Sequence, residues 1–340
     1  MKKISSYDIS IILLYIFQAF LYVIFLNKSI SLTSYSFIIF LVLSIFLGIS
    51  IIMLFSYLFN LSNKNIFENI KSKFIVLILI MIVFIFACFS IRLTSNYISF
   101  IYLKDMNIFI IMITLLVAVF FLIKKDIYSF FRCSTLIFYF YILLELISFI
   151  LLCFNLKYIN LLPISFNLEN ILDHSYIYLF LIVPILFLLI IPKRIIDNKK
   201  MFNKRIFITY FIISIIIFIK SIMSISILGY NSITIYEYID VVLYKNINLF
   251  TFIERIEWLL CFNSITNMFF LISLSAFYIK EGLNYILPIK KNISYVYPLC
   301  ICIFILLFSY FYKIDFINLV YSLVVFFLIH LTFCLFKLLK

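Results

Sequence analysis

Three glycines, five prolines and two histidines in 340 residues leave this chain short of the material for turns, phosphate-cradling loops and imidazole metal sites. So few breaks favour long, uninterrupted helices over a loop-rich fold. The motifs HExxH and GxSxG are missing, as are a glycine-rich phosphate loop and a paired acidic motif facing the cytoplasm. Nothing therefore supports a catalytic apparatus, and neither enzymatic activity nor a cofactor is expected. Charge is the other scarcity: charged residues make up 12% of the chain against 67% hydrophobic, with a mean hydropathy of +1.26. A chain of that composition cannot hide its apolar side chains from water, so lipid must be its solvent. The seven cysteines (Cys88, Cys133, Cys153, Cys261, Cys300, Cys302 and Cys334) lack metal-ligand spacing and read as packing residues.

What is present is a series of long apolar runs. Ten are long enough, or nearly so, to cross a hydrocarbon core about 30 Å thick at about 1.5 Å per helical residue. They are placed at 9–26, 35–58, 74–98, 107–123, 134–154, 176–192, 206–228, 257–279, 294–311 and 317–336. Hydrophobic period says little here, because the runs are apolar on nearly every face. The expected fold is an all-α integral membrane protein of ten transmembrane helices, forming one polytopic domain over 1–340. The first run, despite the lysines before it, is not followed by a small-residue cleavage pattern and reads as an uncleaved helix.

The connections alternate between rich and poor in Lys and Arg. One side holds 19 of the 27 basic residues, including Lys2, Lys3, Lys64, Arg132, Lys199 and Lys280. The other holds five (Lys28, Lys104, Lys157, Lys245 and Lys313), and Arg92, Lys220 and Arg255 lie within or at the ends of spans. Retention of positive charge on the cytoplasmic side places both termini inside. The net charge of +13 is dispersed over separate cytoplasmic segments, which suits anionic membrane lipids and not nucleic acid.

Dividing the chain near residue 165 leaves five spans in each half. An odd number inverts the second half relative to the first, as in LeuT-like five-plus-five inverted repeats, with repeat one at about 1–160 and repeat two at about 165–340. Such folds hold a ligand near the midplane, here expected between spans one, six and eight. Pro184 stands in the middle of span six, where it removes a backbone donor and favours a kink or break. The first span contains neither Gly nor Pro.

An ionisable group at the bilayer centre costs about 2.5–3.5 kcal/mol on insertion scales. Glu145 in span five and Lys220 in span seven lie about eleven and fourteen residues from the inner ends of their helices, depths compatible with an ion pair. Two roles are open to them: a structural bridge between helices, or a ligand-cavity or proton-coupling site. Asn263, Ser264, Thr266 and Asn267 cluster in span eight, where bonding between helices is the default and ligand contact the alternative. His330, without carboxylate or cysteine company, reads as a packing residue. At the start of span eight, Glu254 and Glu257 share one helix face, with Trp258 placed for the interfacial aromatic belt. A functional role for these carboxylates would need a cationic partner, for which Arg92 is the candidate.

The segment Phe252-Ile253-Glu254-Arg255-Ile256-Glu257 resembles a signature of the permease-like B-subunits of spore germinant receptors, within the amino acid–polyamine–organocation transporter superfamily. Arg92, Arg132 and Asn160-Leu161-Leu162-Pro163 are weaker matches, and the resemblance spans most of residues 75–287. It implies a membrane subunit of the spore inner membrane that senses a small germinant, commonly an amino acid, together with an A-type subunit and a lipoprotein C-type subunit. A proton-coupled amino-acid transporter is the alternative, and a glycan- or lipid-linked-sugar-handling membrane protein a remote one.

Overall fold

The computed structural model describes residues 3–25, 46, 48–49, 52, 67, 70, 72–161, 183–191, 195–229, 235–236, 238–247, 256–288 and 295–338. Its helices are α1 (Ser6–Phe25), α2 (Lys73–Ile101), α3 (Ile108–Lys124), α4 (Ile127–Cys153), α5 (Lys199–Leu228), α6 (Ile239–Lys245), α7 (Ile256–Leu260), α8 (Phe262–Ile286), α9 (Val296–Phe311) and α10 (Phe316–Leu338). Four segments, Lys73–Ile101, Ile127–Cys153, Met201–Leu228 and Glu257–Ile286, are long and apolar enough to cross a membrane. Shorter apolar helices lie in α1, α3, α9 and α10. This is an all-α membrane protein.

Local chemistry sets several helix ends. Asn107 accepts from the Phe109 N–H and Asn198 from the Met201 N–H, satisfying first-turn donors of α3 and α5. The Asn198 cap explains why α5 starts seven residues before the apolar run at 206. The polar, basic turn around Lys204 and Arg205 is helical even though it lies outside the hydrophobic stretch. By the same kind of extension α4 begins at Ile127, so Arg132 is an exposed residue inside the helix and not in the connection before it. At the far end of α5, Gly229 takes φ 76°, and Asn160 donates to the carbonyls of Ser226 (2.8 Å) and Ile227 (3.4 Å). Asn160 thus covers carbonyls that the last helical turn leaves without partners.

Span eight carries an irregularity near its start. A one-residue irregularity at Cys261 divides α7 from α8, yet the Cys261 N–H still bonds to Glu257 O (2.9 Å) and the run Glu257–Ile286 remains one apolar span. Span two lies mostly outside the described residues, although Phe46, Gly48, Ile49 and Ile52 within it are helical. In span six, residues 183–187, including Pro184, are helical, and a 3₁₀ turn follows at Leu188–Ile190.

The centre of the molecule is α8, which packs against α1, α2, α3, α4 and α9. Its small and polar residues allow this: Ser273, Ser275, Ala276 and Gly282 are buried. A Cβ on Gly282 would lie 2.7 Å from Ile80 Cγ1, so glycine is what lets α2 approach. Tyr15 of α1 stacks on Phe270 of α8 (4.5 Å) and meets Tyr141 of α4 edge-on (4.9 Å). Several intramembrane hydroxyls are satisfied within their own helices, as when Ser90 and Ser221 donate to carbonyls four residues back.

The outer faces remain apolar. Phe207, Ile208, Phe211, Ile212, Ile215 and Ile219 form one exposed stripe along α5, and Leu136, Phe140, Leu143 and Ile150 another along α4. Contiguous apolar surface on that scale is stable against lipid and not against water. Contacts at the helix ends support antiparallel threading. At one end the Ile4 N–H bonds to Ile195 O (2.8 Å), the Asp197 N–H bonds to Ile4 O (3.0 Å) and Lys280 donates to Ile123 O (2.6 Å). These are connections that the basic-residue pattern assigns to one side.

Candidate functional site

The site begins with one amide in an otherwise apolar helix. Gln18 of α1 is buried where α1 meets α4, α5 and α8. Its Oε1 accepts from the Tyr141 hydroxyl (2.6 Å), Asn267 Nδ2 (3.3 Å) and Lys220 Nζ (3.4 Å), while its Nε2 donates to Glu145 Oε1 (3.4 Å). Glu145 Oε1 forms an ion pair with Lys220, and Glu145 Oε2 accepts from Asn263 Nδ2 (3.1 Å). Asn263 Nδ2 also reaches Tyr141 O (3.2 Å). The Glu145 and Lys220 side chains, separated by 75 positions, are joined through four helices. The pair is unequal in solvation: the Glu145 side chain is 7% exposed and that of Lys220 30%.

Lys220 is the more exposed because it faces a cavity of about 110 Å³. Gln18, Asp240, Asn263, Ser264 and Asn267 supply much of the polar lining, and Leu152, Ile216, Ile217, Ile239, Leu243 and Tyr244 the apolar part. Asp240 stands at the second residue of the short helix α6, in the connection between two spanning helices. Its Oδ2 accepts from the hydroxyls of Tyr97 (2.6 Å) and Ser264 (2.7 Å), and its Oδ1 from the Val241 N–H (2.9 Å). Burial pushes its carboxyl above the usual range, opposed by these hydrogen bonds and by the charge of Lys220. Asn263 Oδ1 and Asn267 Oδ1 are buried with no hydrogen-bond partner among the described residues. A buried acceptor without a donor costs about 1–3 kcal/mol, so the site favours a ligand that brings N–H or O–H groups.

Three of the four candidate ligand or coupling residues, Glu145, Lys220 and Asn263, come together here. Pro184 does not. It is buried elsewhere in the core, close to Phe187, which packs on Phe20, Phe86 and Tyr278. Spans one and eight both line the cavity, and Pro184 of span six is not among its lining residues. Its described walls come from α1, α4, α5, α6 and α8, because Gln18 faces α4 and α5 and draws the polar groups to that side.

The expected partnership between Arg92 and the acidic pair of span eight is not formed with Glu257. Arg92 Nη1 donates to Ser309 O (2.9 Å) and Tyr312 O (3.5 Å) at the end of α9, where unpaired carbonyls compete for it. Glu257 is buried in α7, next to an exposed Trp258 whose carbonyl accepts from the Tyr102 hydroxyl. Glu254, Arg255 and Pro163 lie outside the described residues. His330 is buried against Phe326, with Nδ1 2.7 Å from Phe326 O, and no group of metal-binding side chains occurs among the described residues.

The residues missed by sequence reasoning are Gln18, Tyr141 and Asp240. For Gln18 there was a signal, since it is the only amide in span one. Asp240 offered none, because only the fold returns its connection to the helices.

A helical membrane protein with a small, largely apolar cavity between its helices, and with Lys220 and Asp240 facing that cavity, has the construction of a permease. A family model described as "Spore germination protein" matches residues 3–317, and the chain belongs to that spore germination permease family. Comparison with curated proteins found no match.

Proposed function

We propose that this chain is the membrane subunit of a spore germinant receptor, which senses a small nutrient such as an amino acid and triggers germination. The observation carrying this proposal is the central cavity, small enough for a single metabolite and lined by Lys220, Asp240 and two amides whose acceptors have no partner among the described residues. Ligand binding there acts on α1, α4, α5 and α8 together, so a nutrient with different affinity for two helix arrangements shifts the balance between them. The shift is passed to an A-type subunit and a lipoprotein C-type subunit in the spore inner membrane, with both termini of this chain in the cytoplasm. A five-plus-five inverted repeat is the architecture proposed for the ten spans.

Deletion of the gene is expected to delay or abolish germination on at least one nutrient while leaving others unaffected. Germination unchanged on every nutrient of a broad panel would contradict the proposal. Lys220 and Asp240 in the cavity wall, with Glu145 paired to Lys220 behind it, also favour a second function, proton-coupled uptake of an amino acid. Proton-driven accumulation in proteoliposomes, lost in Lys220→Ala, would establish transport over sensing.

A further inference from the structure

A second cavity, separate from the central one, lies beside the end of α9 and the connection to α10. It encloses about 300 Å³, and its lining includes Arg92, Asn96, Tyr312 and Lys313 together with the apolar Phe89 and Ile314. We propose that it binds a phosphate group, with Arg92 as the fork and Lys313 as the second charge.

The geometry of Arg92 carries the argument. Both hydrogen bonds of its guanidinium leave from Nη1, to Ser309 O and Tyr312 O. These carbonyls belong to the last turn of α9 and its cap, where partner-free oxygens and the negative end of the helix dipole hold a cation. One edge of the planar group is thereby fixed. The other, with Nε and Nη2, has no hydrogen-bond acceptor among the described residues. Two parallel N–H donors in a rigid plane match two oxygens of a phosphate.

Charge points the same way. Lys313 is exposed and lines the same cavity, no carboxylate is among the lining residues, and neither cation forms an ion pair among the described residues. A half-buried guanidinium with no counter-ion among the described residues, beside a lysine, suits an anion. The apolar side of the cavity, and the exposed faces of Phe308, Phe311 and Tyr312 nearby, suit a phosphate that carries acyl chains. A phospholipid headgroup and free phosphate share the recognised chemistry, and the experiment separates them.

The purified protein is titrated with phosphatidylglycerol and, separately, with inorganic phosphate, reading retained lipid by native mass spectrometry and thermal midpoint by light scattering. Retained phosphatidylglycerol that falls about tenfold in Lys313→Gln and further in Arg92→Lys supports a headgroup site. Stabilisation by inorganic phosphate that both variants abolish, with no variant-dependent lipid retention, supports a soluble phosphate. Lys313→Gln removes only an exposed charge and keeps the test informative if Arg92→Lys disturbs α9. Lipid retention and phosphate response identical in wild type and both variants would overturn the proposal.

Discussion

Replacing Lys220 with leucine will lower the yield of folded protein more than replacing Glu145, and replacing both will recover most of the loss. Removing one member of a buried ion pair costs about 3–5 kcal/mol, because the survivor is left as an unpaired charge in a low-dielectric site. The two survivors are not equivalent. Glu145 is almost fully buried, and without Lys220 it keeps only the neutral donors of Gln18 and Asn263. Lys220 faces the cavity and the carboxylate of Asp240, so the loss in Glu145→Leu should be roughly half as large. In the double variant neither member of the pair is left without the other, and two leucines fill the space. Monodisperse protein after detergent extraction and the thermal unfolding midpoint measure all three. Losses that simply add would mean that the pair is not an energetic unit.

Asp240 will make the protein respond to pH in two opposite ways. Its folded-state carboxyl lies above the usual carboxylate range, so the folded protein holds this proton more tightly than the unfolded chain. The stability contribution is then complete below the ordinary carboxylate pKa and is lost as pH rises through the raised value. A ligand that brings an ammonium or other donors prefers ionised Asp240, so its apparent affinity rises over that same window. Asp240→Asn is expected to flatten both dependences and to weaken a cationic nutrient by about an order of magnitude, equivalent to about 1.4 kcal/mol. Thermal midpoints and half-saturating nutrient concentrations across the carboxylate-to-neutral pH range provide the check. Parallel pH profiles in wild type and Asp240→Asn would remove this residue from the site.

Much of the helix layout was legible because lipid imposes a length that needs no tertiary information. The ends of α2, α3, α9 and α10 fall within three residues of the apolar runs. Where the boundaries moved, as at α4 and α5, helices continued into polar turns that hydropathy cannot see. The Glu145–Lys220 contact was legible from depth alone, since two charges at similar levels have few other partners in a hydrocarbon slab. The full set of cavity walls was not, since Pro184 is not among the residues that line it. Which face of an apolar helix turns inward has no signature when every face is apolar, and the outward stripe of α5 emerges only with the structure. Asp240 is recruited from a connection by Tyr97 and Ser264, residues 143 and 24 positions away, and no local pattern encodes that.

The account rests on the central cavity being where the nutrient sits. Ile216→Trp tests this directly, since Ile216 lines the cavity yet takes no part in the polar network, and the larger ring fills the space from its apolar wall. Spores carrying this variant, with the protein present at normal amounts, are expected to lose the nutrient response that gene deletion removes, or to need at least tenfold more nutrient, and to respond normally to nutrients that deletion leaves unaffected. A dose–response curve indistinguishable from wild type would show that the ligand binds elsewhere.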